Sequence, residues 1–188
     1  MAQPRHKQIA AAVLADTSES LAGELGVNIR RNTPAPLYQW LICSLLFSAR
    51  ISSDLAGSAA RALFAKGWRT PDKMAKSTWK QRVEVLNRSG YARYDESTAE
   101  YIGATTRLLR DDYSGDMRKL REAAGCKPEE ERALIRQFKG IGDTGVDIFF
   151  REAQLVWPEL YPFADAKALE AACKFGLPED VEDLSRLV

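Results

Sequence analysis

Residues Phe138 to Phe149, FKGIGDTGVDIF, decide how this chain of 188 residues is read. Immediately upstream, PEEERALIRQ (Pro128 to Gln137) suits a helix, while Val146, Ile148, Phe149 and Phe150 open a second one, with Gly140-Ile141-Gly142 between them. Glycine lacks a Cβ, so two of them permit a tight turn with φ > 0. Such a turn exposes backbone N–H groups beside the N-terminus of the following helix, where unpaired donors and the positive end of the helix dipole favour a phosphate. An ordinary corner that merely needs glycine shows the same pattern. Arg136 and Lys139 flank the turn and either attract phosphate or serve as solvated charges at a helix end.

Composition narrows the alternatives. The length is enough to bury a core without staples, and 45% hydrophobic with 28% charged residues is that of an ordinary soluble protein. A net charge of only +1 announces no overall basic field, so any affinity for a polyanion has to come from local charge. Cys43, Cys126 and Cys173 are too far apart for metal-ligand spacing, and Cys43 sits in an apolar run that reads as core. Neither an iron–sulfur cluster nor a catalytic metal is expected. His6, the single histidine, lies in a polar N-terminal stretch expected to be poorly ordered, so histidine-dependent triads are excluded. The longest apolar run, Leu37 to Phe47, falls well short of the roughly 20 residues a membrane span requires. It reads as a buried helix; no membrane partner, a cytoplasmic location and a monomer are expected.

Apolar spacing is helical nearly throughout, and no run alternates β-branched residues, so the fold class is all-α. Punctuation sets the boundaries. Ser53 or Asp54 can cap a helix that Gly67 ends, Thr70-Pro71 is an N-cap with proline at the first helical position, and Gly90, Gly115, Gly125 and Gly176 fall where helices should stop. Candidate helices include Pro4 to Ala15, Ser18 to Leu25, Leu37 to Ser48, Ser97 to Asp111, Ala166 to Phe175 and Glu179 to Leu187. Asn32 to Pro36, NTPAP, is the one stretch expected to lack structure.

The glycine turn resembles a helix-hairpin-helix. Together with the lone Asp165 in FADAKALEAACKFG and the block LICSLLFSARISSDLAGSAARALF (Leu41 to Phe64), it resembles the endonuclease III-like superfamily of DNA base-excision glycosylases. The resemblance spans roughly Leu37 to Gly176 and implies a two-lobed fold. Residues 37–148 would form a six-helix barrel lobe including the hairpin, and 1–36 plus 149–188 a second helical lobe, with duplex DNA in the cleft. Many relatives carry a four-cysteine iron–sulfur cluster after the catalytic region; no such run follows here.

That resemblance gives the residues their expected roles. Gly140, Ile141, Gly142 and Thr144 would supply backbone contacts to a DNA phosphate, often bridged in such hairpins by a monovalent cation, with Arg136 and Lys139 adding charge. Asp165 would be the catalytic carboxylate, because cleaving an N-glycosidic bond builds positive charge on the deoxyribose. It is equally suited to cap the helix that follows, and the two roles are compatible. Arg50 stands where relatives insert a side chain into the gap left by an extruded base, although a solvent-facing arginine at a helix end reads the same way. Thr144 occupies the place of the lysine that forms a Schiff base in bifunctional relatives, and threonine cannot form that adduct. The expected activity is therefore monofunctional base excision; the alternative is a non-catalytic DNA-binding or damage-sensing module. Tyr38, Trp40, Phe47 and Trp68 read as core.

Overall fold

A computed structural model of the chain describes residues 4–16 and 19–187. In order these form α1 (Pro4–Asp16), α2 (Leu21–Glu24), α3 (Pro34–Phe47), α4 (Ser53–Ala65), α5 (Pro71–Ala75), α6 (Trp79–Arg88), α7 (Asp95–Tyr113), α8 (Met117–Ala123), α9 (Pro128–Ile135), α10 (Asp143–Ala153), α11 (Ala166–Lys174) and α12 (Val181–Ser185), with single 3-10 turns at Ile29–Arg31, Ala92–Tyr94 and Pro158–Leu160. No strand occurs among the described residues, and the fold is all-α. None of the described helices is long and apolar enough to cross a membrane.

Several boundaries differ from the sequence expectation for identifiable reasons. The helix expected from Leu37 starts at Pro34, because the missing N–H of a proline in the first turn is one that a helix leaves unpaired anyway. NTPAP is thus largely a helix start. The cap of α4 is Ser52, neither Ser53 nor Asp54; its Oγ accepts from the Leu55 N–H at 3.4 Å. By contrast, the helix expected from Pro4 to Ala15 forms as α1, and His6 lies within it. Of the helix expected from Ser18, the described part is the short α2, and Ser18 itself lies outside the described residues.

The α3 helix is the axis of the packing. Pro36 through Leu46 are all buried, Gln39 and Ser44 included, so the helix is buried around its whole circumference and not along one stripe. Its aromatic side chains are tied by their polar tips. The Trp40 indole donates to the Phe149 carbonyl at 3.1 Å, and the Tyr38 hydroxyl lies 2.7 Å from Thr106 Oγ1 on α7. One continuous apolar cluster runs from Ala22 to Leu160, with Cys43 inside it and Phe47 and Trp68 packed against it.

A polar cluster sits at the foot of α9. Glu131 is fully buried, and no donor reaches either carboxyl oxygen. Facing it are Glu159 of the last 3-10 turn and Arg121 of α8, whose Nη2 donates to Glu159 Oε2 at 2.6 Å. Burial first, and then the neighbouring Glu159, push Glu131 up to about 8, so it is protonated at neutral pH. A carboxyl group raised in the folded state stabilises fully below its ordinary value near 4.5, and that contribution is lost as pH rises to about 8. Urea unfolding of wild type and Glu131→Gln at pH 5 and pH 9 checks this. The neutral variant should gain relative to wild type at pH 9 by on the order of 1–3 kcal/mol, with little difference in that direction at pH 5.

Candidate nucleic-acid interface

The turn between α9 and α10 forms as a hairpin of two helices, but its two glycines do different work. Gly140 has φ +87, and a Cβ there would lie 2.5 Å from Cδ2 of Tyr101. Both the backbone and the neighbouring ring therefore require glycine. Gly142 is the N-cap of α10 in extended backbone, φ −98 and ψ −167, and a Cβ on it would meet open space. The positive φ that the glycine turn was expected to need is found at Gly140 alone. Between them Ile141 turns its side chain into the core and donates its N–H to the Phe138 carbonyl at 3.0 Å. That amide is already bonded within the turn, unlike the N–H groups of the residues that follow.

The donors that remain belong to the next residues. Val146 is the first whose N–H closes a bond of α10, to the Gly142 carbonyl at 3.1 Å, and no side chain caps this end. Gly142, Asp143 and Thr144 are exposed at the start of α10, the positive end of the helix, where the first N–H groups have no intrahelical acceptor. A close approach holds this end in place, since a Cβ on Gly145 would lie 2.9 Å from Ile141 Cγ2 and 3.5 Å from Ser48 Cβ at the C-terminus of α3.

Two of the flanking cations are paired within the protein. Arg136 lies 3.3 Å from Asp143, whose carboxylate competes with an incoming phosphate at the first turn of α10. Lys139 pairs with Glu100 and sits 5.6 Å over the Tyr101 ring. Both ion pairs are more than half exposed, so each is weak and exchangeable for a phosphate partner. Arg50 is exposed and makes no ion pair among the described residues.

Asp165 caps α11, its Oδ1 accepting from the Ala168 N–H at 2.8 Å, and pairs through Oδ2 with Arg151 of α10. Its side chain is only 9% exposed. Burial alone would raise its pKa, but the Ala168 amide and the Arg151 guanidinium outweigh burial and hold the carboxyl below its usual range. The segment leading to it is clamped onto α10. Gln154 donates to the Phe163 carbonyl at 3.0 Å and accepts from the Phe163 N–H at 2.9 Å, while the Phe163 ring meets Phe150 edge-on at 5.6 Å. Arg151 stands seven residues after Thr144, which places the two within about 20° of one azimuth and roughly 10 Å apart along the helix. The hairpin end and the ionised carboxylate therefore share one side of α10. Lys167 is exposed; its backbone N–H helps to keep Asp165 ionised, and no side-chain hydrogen bond or ion pair joins the two among the described residues.

On the Gly140 side of the turn, a hollow of about 420 Å³ opens between the end of α3, the Ala92–Tyr94 turn and α7. Arg50 and Gly140 line it together with Ser48, Tyr94, Ser97 and Tyr101. Sequence reading brought Arg50 and Gly140 forward but not the tyrosines, nor Arg151 as the partner of Asp165 and Gln154 as the clamp on Phe163. Among the described residues no cluster of three or more His, Cys, Asp or Glu side chains is arranged to hold a metal ion; Cys43 is buried, and Cys126 and Cys173 are exposed. No protein-family model, curated protein or solved structure matches this chain.

The different roles of the two glycines are measurable. Gly140→Ala should lower the unfolding free energy by about 1–3 kcal/mol through positive φ and the Tyr101 ring. Gly142→Ala should stay within about 0.5 kcal/mol of wild type. Chemical denaturation of both variants reads the contrast directly.

Proposed function

We propose that this protein binds duplex DNA through the amides at the start of α10 and acts there as a monofunctional base-excision glycosylase, with Asp165 as the charge-stabilising group. One observation carries the reading: an ionised carboxylate is fixed by the Ala168 N–H and by Arg151, and Arg151 lies on the same side of α10 as Thr144 at its exposed, uncapped start. A phosphate held at the helix end then lies roughly 10 Å along α10 from Arg151, the partner of Asp165. The two-lobed arrangement inferred from the resemblance belongs to the same proposal.

The chemistry follows from the residues present. As the C1′–N bond breaks, its electron pair leaves with the base and positive charge grows on the sugar. The Asp165 carboxylate stabilises that charge, and water adds to C1′ and gives up its proton, which ends on the departing base or in solvent. Thr144 offers no amine, so no covalent intermediate forms. Asp165 starts ionised at neutral pH, as the mechanism requires.

A second reading, a DNA-binding module without chemistry, is favoured by the Arg151 contact. A carboxylate already paired with a guanidinium presents less negative field to a sugar cation.

Duplexes carrying a panel of damaged or mispaired bases, scored separately for base release and strand scission, test the proposal. Wild type should release a base and leave an abasic site, and borohydride added during turnover should trap no protein–DNA adduct. Asp165→Asn keeps an acceptor for the Ala168 N–H and so keeps the helix cap, yet should lower excision at least 100-fold with DNA affinity nearly unchanged. A wild type that binds DNA but releases nothing across the panel gives the decision to the non-catalytic module.

A further inference from the structure

Charge is unevenly spread along this chain. Residues 66–88 carry seven Lys and Arg against Asp72 and Glu84, a net of +5 in a chain whose whole charge is +1, so everything outside that segment sums to −4. Both acids are already paired, Asp72 with Arg110 of α7 and Glu84 with Arg88 one turn on. Arg82 is buried and bonds the Ala99 and Ser77 carbonyls. Lys66, Arg69, Lys73, Lys76 and Lys80 remain exposed, without a carboxylate partner among the described residues. Between α4 and α6, beside these cations, lies a groove of about 440 Å³. Its apolar lining is Ala62 of α4, Val85 of α6 and the half-buried ring of Trp68, which packs on the core; Lys66, Glu84 and Arg88 line it as well. Lys80 stands one turn before Glu84 on the same face of α6. None of these residues belongs to the hairpin, to the surroundings of Asp165 or to the hollow beside Gly140.

We propose that the groove between α4 and α6 docks an acidic peptide segment of a partner protein through one aromatic or large aliphatic side chain. Unpaired cations beside an apolar groove suit a partner that brings carboxylates and a bulky apolar group together. A phosphodiester chain fits less well, because it offers acceptors only and Glu84 repels it, whereas a peptide has N–H groups for Glu84 to accept from. The apolar side chain lies on Ala62, Val85 and Trp68, the flanking carboxylates pair with Lys66 and Lys80, and Arg88 keeps Glu84 in place. The apolar contact sets the specificity; the lysines set the rate of encounter and its dependence on salt. This docking is independent of the DNA reading, since it uses no residue of that site.

Fluorescence anisotropy of the full chain with three labelled probes tests this: a peptide of about ten aspartate and glutamate residues with one central phenylalanine, the same peptide with alanine at its centre, and an oligothymidylate of equal charge. Wild type should bind the phenylalanine peptide about tenfold more tightly than the alanine peptide, the difference one buried apolar side chain makes. Ala62→Gln puts a larger side chain into the groove without changing charge, and should bring the phenylalanine peptide down to the affinity of the alanine one. Lys66→Glu, at an exposed position, should weaken both peptides about fivefold and preserve the ratio between them. The oligothymidylate should stay within about twofold of wild type in Ala62→Gln. Equal affinity of wild type for the two peptides overturns the proposal, as does a phenylalanine preference that survives in Ala62→Gln or peptide binding that is unchanged in Lys66→Glu. An oligothymidylate that binds more tightly than either peptide and loses about tenfold in Ala62→Gln also overturns it, and gives the groove to nucleic acid.

Discussion

The contact between α3 and α10 is the constraint on which the rest of the structure depends. The fully buried Trp40 spends its indole N–H on the Phe149 carbonyl, and Gly145 lets the start of α10 come down on Ser48 at the end of α3. The first fixes the depth of α10 in the core, and the second fixes its N-terminal end. Because α3 is buried on every side, it cannot shift toward solvent to relieve a misplaced neighbour. The hairpin is therefore held from beneath, with Ile141 as its anchor in the core and the amides of the next three residues left outside.

From that fixed helix the remaining parts of the candidate site are placed by polar clamps. Arg132 of α9 meets Asp147 of α10 at 2.7 Å and lies 5.1 Å over the Phe150 ring, which sets the angle between the two arms of the hairpin. Farther along, Gln154 pairs with both backbone groups of Phe163 and so returns the chain to α10 just ahead of Asp165. An ionised carboxylate is costly to bury, and this one is retained because a helix N-terminus and a guanidinium both attend it. Arg151 is thus a positioning residue whose charge also weakens the field of the group it positions. The proposed chemistry and the non-catalytic alternative differ over which of these effects prevails.

Much of the fold was legible in the sequence because helices announce themselves locally. Apolar spacing marked α3, α4 and α10, and glycines closed helices where expected, as at Gly67 with φ +82 and Gly90 with φ +89. The start of α3 was misplaced because NTPAP resembles a breaker, whereas prolines in a first turn cost the helix nothing. The candidate site was legible only in outline. Two glycines in GIG look equivalent in sequence, yet only Gly140 has positive φ, since its conformation is set by Tyr101 thirty-nine residues earlier in the chain. The Lys139 pairing with Glu100 and the convergence of Tyr94, Tyr101 and Arg50 on one hollow are equally long-range, and no local pattern encodes them. Arg151 left one trace, its seven-residue spacing from Thr144.

The central claim is that the uncapped start of α10 is where the protein meets DNA. Two-dimensional ¹H–¹⁵N NMR of the full chain, titrated with a short matched duplex at low and then physiological salt, tests it most directly. The account predicts that the amides of Gly142, Asp143 and Thr144 shift most and in fast proportion to added DNA, that Ile141, bonded to Phe138, shifts less, and that the shifts shrink steeply with salt. Shifts clustered on another face, with Gly142 to Thr144 unmoved at saturating DNA, would contradict it.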